Sequence, residues 1–145
     1  MARDNQFCTF LVGGMLFGLD VFCIQEVIRY QTLTAVPLAP PAVAGLINLR
    51  GQIVTAIDLR ARLGLPPRRA GERPLNVVVR TGDGAVSLLV DEIGDVIEVD
   101  DDSFERPPDM LDDSARALIR GAYKLKGRLL LVLDAARTID PDHGN

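Results

Sequence analysis

Short apolar runs separated by turn residues dominate the chain. Residues 7–12, 15–19, 77–80, 85–90 and 128–133 are rich in β-branched or bulky apolar side chains. Each run is too short for an amphipathic helix and is bounded by glycine or charged residues, which predicts β-strands. Gly13-Gly14 follows the first run and Gly82-Asp83-Gly84 the third. Both read as hairpin turns, because glycine supplies the positive φ angles that tight hairpins require. Helical signals are few. Asp58 is placed to cap a helical turn over 59–63 that Gly64 stops, and Asp134 to cap one over 135–139. A further helical turn is predicted from Pro41, putting Val43, Leu46 and Ile47 on one face, and another over 113–119.

The same pattern occurs twice. Shifted by 69 residues, 7–30 falls on 76–99, with Gly13 on Gly82, Leu19 on Leu88, Ile24 on Ile93, Glu26 on Asp95 and Val27 on Val96. Further on the shift is 76: Gly45 falls on Gly121, Leu49 on Leu125, Arg50 on Lys126, Gly51 on Gly127 and Asp58 on Asp134. The change from 69 to 76 requires seven extra residues, and the acidic, proline-containing stretch 100–113 is the natural place for them. Two blocks in the same order predict an internal duplication within one domain, 1–145, with halves of about 7–64 and 76–139 and a linker over 65–75. About five short strands cannot bury a good core alone, so an all-β architecture of two packed barrels with a groove at their junction is expected.

Charge and chemistry narrow the function. The 145 residues are 48% apolar and 25% charged, as in a folded soluble domain, and the net charge of −4 argues against a nucleic-acid surface. Arg68, Arg69 and Arg73 stand among Pro66, Pro67, Gly71 and Pro74 and read as a solvated linker. The first residues lack the apolar stretch of a signal peptide, and the uncharged segment 31–49 is interrupted by Pro37, Pro40 and Pro41. A cytoplasmic protein without direct membrane insertion is expected. Cys8 and Cys23, set among apolar neighbours, read as buried free thiols.

The sole histidine, His143, lies in a polar tail, which removes the commonest general base and metal ligand. Asp100, Asp101 and Asp102 lack the alternating ligands, glycine and distal glutamate of a calcium loop, so no metal site is assigned. Asp20, Asp58, Asp91 and Asp134 follow strands and are read as caps or turn residues. No cofactor and no catalytic residue are assigned. An enzyme or ligand-binding domain on a small barrel is the alternative from another class, and it requires a pocket of converging polar groups. An oligonucleotide-binding barrel fits poorly with 5% aromatic residues and no tryptophan.

The motifs then carry a resemblance. Val36-Pro37, the run Gly45-Leu46-Ile47-Asn48-Leu49-Arg50-Gly51-Gln52-Ile53-Val54, and Ile57-Asp58-Leu59-Arg60 are similar to the signature of CheW-like domains. Ile24-Gln25-Glu26-Val27 and Val90-Asp91-Glu92-Ile93-Gly94-Asp95-Val96 resemble further stretches of that family, so the likeness runs over about 7–139. It implies two intertwined five-stranded SH3-like barrels with a few short helices. It also implies an adaptor without catalytic activity that couples the cytoplasmic tip of chemoreceptors to the regulatory domain of a CheA-like histidine kinase, recruited to membrane-associated receptor arrays. A coupler in a pathway of twitching, development or second-messenger output is the alternative within the family. Carried over by position, the resemblance assigns receptor coupling to Glu26, Gly45, Asn48 and Arg50, with Val90 and Ile93 lining the groove. Two readings stay open for Arg50, receptor contact or a structural arginine bonded to local carbonyls. Gly45 and Gly51 are equally open to a purely backbone role, and Val90 and Ile93 to core packing. No kinase-binding residue is identified.

Overall fold

A computed structural model describes residues 5–82, 84–109 and 111–140. The strands in order are β1 (Gln6–Val12), β2 (Met15–Asp20), β3 (Ile24–Ile28), β4 (Val43–Leu49), β5 (Gln52–Asp58), β6 (Leu75–Arg80), β7 (Ala85–Val90), β8 (Glu92–Glu98), β9 (Phe104–Glu105), β10 (Ile119–Leu125) and β11 (Arg128–Leu133). Among the described residues three short α-helices accompany them: α1 (Leu59–Leu63), α2 (Asp113–Leu118) and α3 (Ala135–Ile139). Asp58 caps α1 by accepting from the Arg60 N–H, and Gly64 ends it in the left-handed conformation. Asp134 caps α3 through the Arg137 N–H. The hairpin expected at Gly82-Asp83-Gly84 joins β6 to β7, with Asp83 outside the described residues, and so does His143 lie outside them.

The strands form two sheets, in the orders β8-β1-β2-β11-β10-β9 and β3-β6-β7-β5-β4. Neighbours are antiparallel except β2 with β11 and β5 with β7, which are parallel. Exchanging β3 for β8, β6 for β1, β7 for β2, β5 for β11 and β4 for β10 turns the smaller order into the first five strands of the larger. Each sheet therefore takes strands from both halves of the chain. The segment leaving β3 returns across the far edge of its own sheet, where Thr34 and Leu46 exchange N–H···O bonds of 2.9 and 2.8 Å. In the larger sheet β9 does the same, with Glu105 opposite Ala122 of β10. These returns curl each sheet into a barrel, of five strands in the smaller and of five plus the short β9 in the larger, and the two barrels are intertwined. They also locate five of the seven extra residues of the second half. Thr34 to Leu46 and Glu105 to Ala122 are equivalent steps that differ by five residues, and the longer one contains α2.

Burial follows the strand alternation. Val78 and Leu89 point into the smaller barrel with Ile47, Leu49, Val54 and Ala56. Leu130 and Val132 point into the larger with Phe7 and Tyr123. The residues between them, Val77, Val79, Leu88, Val90, Leu131 and Leu133, meet Phe10, Val12, Phe17 and Leu19 in the largest cluster, between the barrels. Strands β6, β7 and β11 are thus covered on both faces, which is why apolar residues follow one another in them without alternating.

The helical turn predicted from Pro41 is absent. A single turn bond, from the Val43 N–H to the Pro40 carbonyl at 2.9 Å, leads directly into β4. A bulge between Val43 and Gly45 breaks the period of two, and this leaves Val43, Leu46 and Ile47 at a spacing that imitates a helix face. Among the described residues no helix is long and apolar enough to cross a membrane.

Candidate functional site

The β4–β5 hairpin presents the densest group of the assigned residues. Leu49 pairs with Gln52, so Arg50 and Gly51 alone form the turn, with φ of +51° and +87°. Positive φ at both central positions defines a type I′ turn, whose twist matches that of the flanking strands. Asn48 steadies it, its Oδ1 accepting from the Gly51 N–H at 2.8 Å. The turn holds Arg50 out in solvent, with 68% of its side chain exposed. Its guanidinium donates to the carboxylate of Glu26 on β3, which is only 22% exposed. Since β3 and β4 are the two edges of the smaller sheet, this ion pair spans the seam of the barrel. The Arg50 hydrogen bond, reinforced by Gln25, holds the Glu26 carboxyl below its ordinary range.

Directly across the hairpin from Asn48 stands Ile53, 62% exposed. Sequence reasoning missed it, because an isoleucine inside an apolar strand reads as core. The resulting face carries a fixed cation, a carboxylate, an amide and one bare aliphatic side chain, a composition suited to holding another protein rather than to bond making.

The remaining assigned residues lie elsewhere. Gly45 is buried at the far end of β4. A Cβ there would stand 2.6 Å from the Thr34 carbonyl oxygen, so the glycine admits the returning strand that closes the barrel and offers no surface. Gly121 plays the matching part beneath the Phe104 ring. Val90 is wholly buried in the cluster between the barrels, and Ile93, opposite Phe10, packs against that cluster. The junction expected as a groove is at these positions filled core, which corrects the lining role given to Val90. Of the two readings of Arg50, bonding to local carbonyls gives way to pairing with Glu26.

The linker also departs from expectation. Arg69 and Arg73 are exposed, the latter with its guanidinium carbon 5.4 Å from the Tyr30 ring centroid. Arg68 is not solvated: 11% of its side chain is exposed and it pairs with Asp58 and Asp91. Asp91 accepts as well from Arg60 and from the Gly13 N–H. Burial pushes the Asp91 carboxyl up, but these hydrogen bonds and the two guanidinium charges outweigh it and hold the group below its ordinary value. Cys8 is a buried and Cys23 a half-buried free thiol, both pushed up chiefly by burial.

Comparison with known proteins agrees with this architecture. Residues 6–142 match the CheW-like domain family. The chemotaxis protein CheW of Bacillus subtilis is 32% identical over 133 residues, covering 92% of this chain and 85% of the relative. That of Rhizobium meliloti is 30% identical over 130 residues, covering 90% and 84%. The crystal structure of the scaffolding protein TtCheW from Thermoanaerobacter tengcongensis superposes with a TM-score of 0.80 at 27% identity, covering 97% of both chains. Intertwined barrels, signature hairpin and match along nearly the whole length agree, and the chain belongs to the CheW-like family of chemotaxis scaffold proteins.

Proposed function

We propose that this protein is a cytoplasmic adaptor that joins the cytoplasmic tip of a chemoreceptor to the regulatory domain of a CheA-like histidine kinase within receptor arrays, with no catalytic step of its own. The observation that carries the receptor half of this reading is the exposed Arg50–Glu26 pair across the barrel seam, flanked by Asn48 and bare Ile53. A receptor helix laid on this face gains apolar contact at Ile53 and register from the charged pair. The type I′ turn fixes the arginine backbone and so holds the pair in one place. We also read the halves 7–64 and 76–139 as duplicated copies, a reading supported by their matching strand orders.

Calorimetric titration with the isolated kinase regulatory domain and with a receptor tip fragment tests the proposal. Both are expected to bind one to one. Arg50→Glu places two carboxylates together, so receptor affinity is expected to fall about tenfold or more, with kinase affinity and circular dichroism unchanged. Unchanged receptor binding would remove this face from the site, and absence of binding to either partner would overturn the adaptor reading.

A further inference from the structure

A second polar cluster joins parts of the chain that belong to different barrels. Asp91 is the single residue between β7, in the smaller barrel, and β8, in the larger. Its carboxylate receives Arg60 through two nitrogens, Nε to Oδ1 at 3.1 Å and Nη2 to Oδ2 at 2.7 Å. It also receives Nε of Arg68 at 3.0 Å and, from the β1–β2 turn of the larger barrel, the Gly13 N–H at 2.8 Å. Arg68 reaches on to Asp58 Oδ1 at 3.0 Å and to the Leu89 carbonyl at 3.1 Å. Arg60 holds the linker itself through the Pro66 carbonyl at 2.8 Å. The four side chains are between 11% and 26% exposed, and their two positive and two negative charges balance.

Beside it the barrels meet through the large apolar cluster, and Arg62 of α1 donates to the Thr138 and Arg137 carbonyls of α3 at 3.3 and 2.7 Å. Apolar burial is non-directional and sets no angle closely. A two-nitrogen arginine–carboxylate contact does, because the fork admits a narrow range of positions, and half-burial keeps it from being screened away. We propose that the Arg60–Asp91–Arg68–Asp58 cluster is a clamp at the strand crossover that fixes the setting of one barrel against the other, with Arg68 the positioning residue that ties the linker into it. The consequence for signalling rests on the adaptor reading above: a clamp between barrels makes occupancy of one barrel's face felt at the other.

Residue-resolved hydrogen exchange on the full chain tests the clamp without any partner. Asp91→Asn keeps the shape and removes the charge. The amides of Gly13, Arg69 and Glu72 are expected to be accelerated about tenfold more than those of Val78 and Leu130 inside the two barrels, whose exchange follows the global stability. Equal acceleration at all five amides would make the cluster a general stabiliser, and no change at Gly13 would show that Asp91 does not tie the barrels; either result sinks the clamp. Arg68→Met, which keeps the aliphatic stem, tests positioning. Each separate affinity, for receptor fragment and for kinase domain, is expected to stay within about twofold, whereas the factor by which one partner alters binding of the other falls about fivefold or more, with Arg68→Lys restoring part of it. An unchanged factor would overturn the positioning role of Arg68. A parent chain that binds neither partner would overturn the adaptor reading and leave the exchange measurement to decide the clamp.

Discussion

At the scale of single residues, two positions show how differently the sequence exposes its physics. Gly45 was legible as a glycine of the signature, but its reason lies in Thr34, whose carbonyl occupies the space a side chain would need. Gly45→Ala is therefore expected to cost about 2 kcal/mol in denaturant unfolding. The neighbour is backbone and cannot rotate away, so weaker receptor binding in such a variant would follow from a displaced strand rather than a lost contact. Arg68 was illegible, because its neighbours in sequence are prolines, glycine and other arginines, while its partners stand ten and 23 residues away. Asp91 carries a pH signature. Its folded value is held below that of an unfolded aspartate, so its stabilisation is complete above about pH 4 and is lost as pH falls through the lower folded value. Asp91→Asn is expected to lower stability at neutral pH by about 2 kcal/mol and to flatten the acid limb of the stability curve. A variant whose melting temperature falls with acid as steeply as the parent's would show that other carboxylates set that limb.

At the scale of elements, capped and glycine-bounded segments were read to the residue. Strand 85–90 and the turns 59–63 and 135–139 coincide with β7, α1 and α3, since their ends are fixed by local aspartates and glycines. The start of β4 was misread because a bulge is a tertiary adjustment to the partner strand and leaves no local mark in the sequence. The β4–β5 turn separates stability from function. Arginine is a poor occupant of a left-handed turn position and asparagine before glycine a good one. Arg50→Asn is thus expected to be at least as stable as the parent by thermal unfolding while losing receptor affinity like Arg50→Glu. Lost stability together with lost affinity would mean that the ion pair to Glu26 holds the barrel seam closed, and the site would then be an indirect one.

At the scale of the whole molecule, the sequence showed a repeat and so two units, but not that each barrel is assembled from both. Pairing partners sit far apart in the chain: β2 lies beside β11, and β5 beside β7. No local pattern encodes such exchange, because a strand's alternation states which face is buried and not which neighbour covers it. The consequence is testable with fragments divided in the linker, 1–70 and 71–145. The first holds β1 to β5, whose two hairpins belong to different sheets; without β6 and β7, strand β3 has no ladder partner and β5 loses one edge. The second holds β6 and β7, cut off from β3 and β5, and β10 and β11, cut off from β2. Neither can close a barrel, and the cluster between barrels would stand open on one side, so each fragment alone is expected to lack a cooperative unfolding transition. Mixed at equal concentration they are expected to regain one, because every strand pair can re-form between fragments and Arg68 of the first can again meet Asp91 of the second. Cooperative unfolding of either fragment alone would mean that a half can pair its own strands into a closed unit, and the exchange of strands would then be a property of the joined chain and not a requirement of its core.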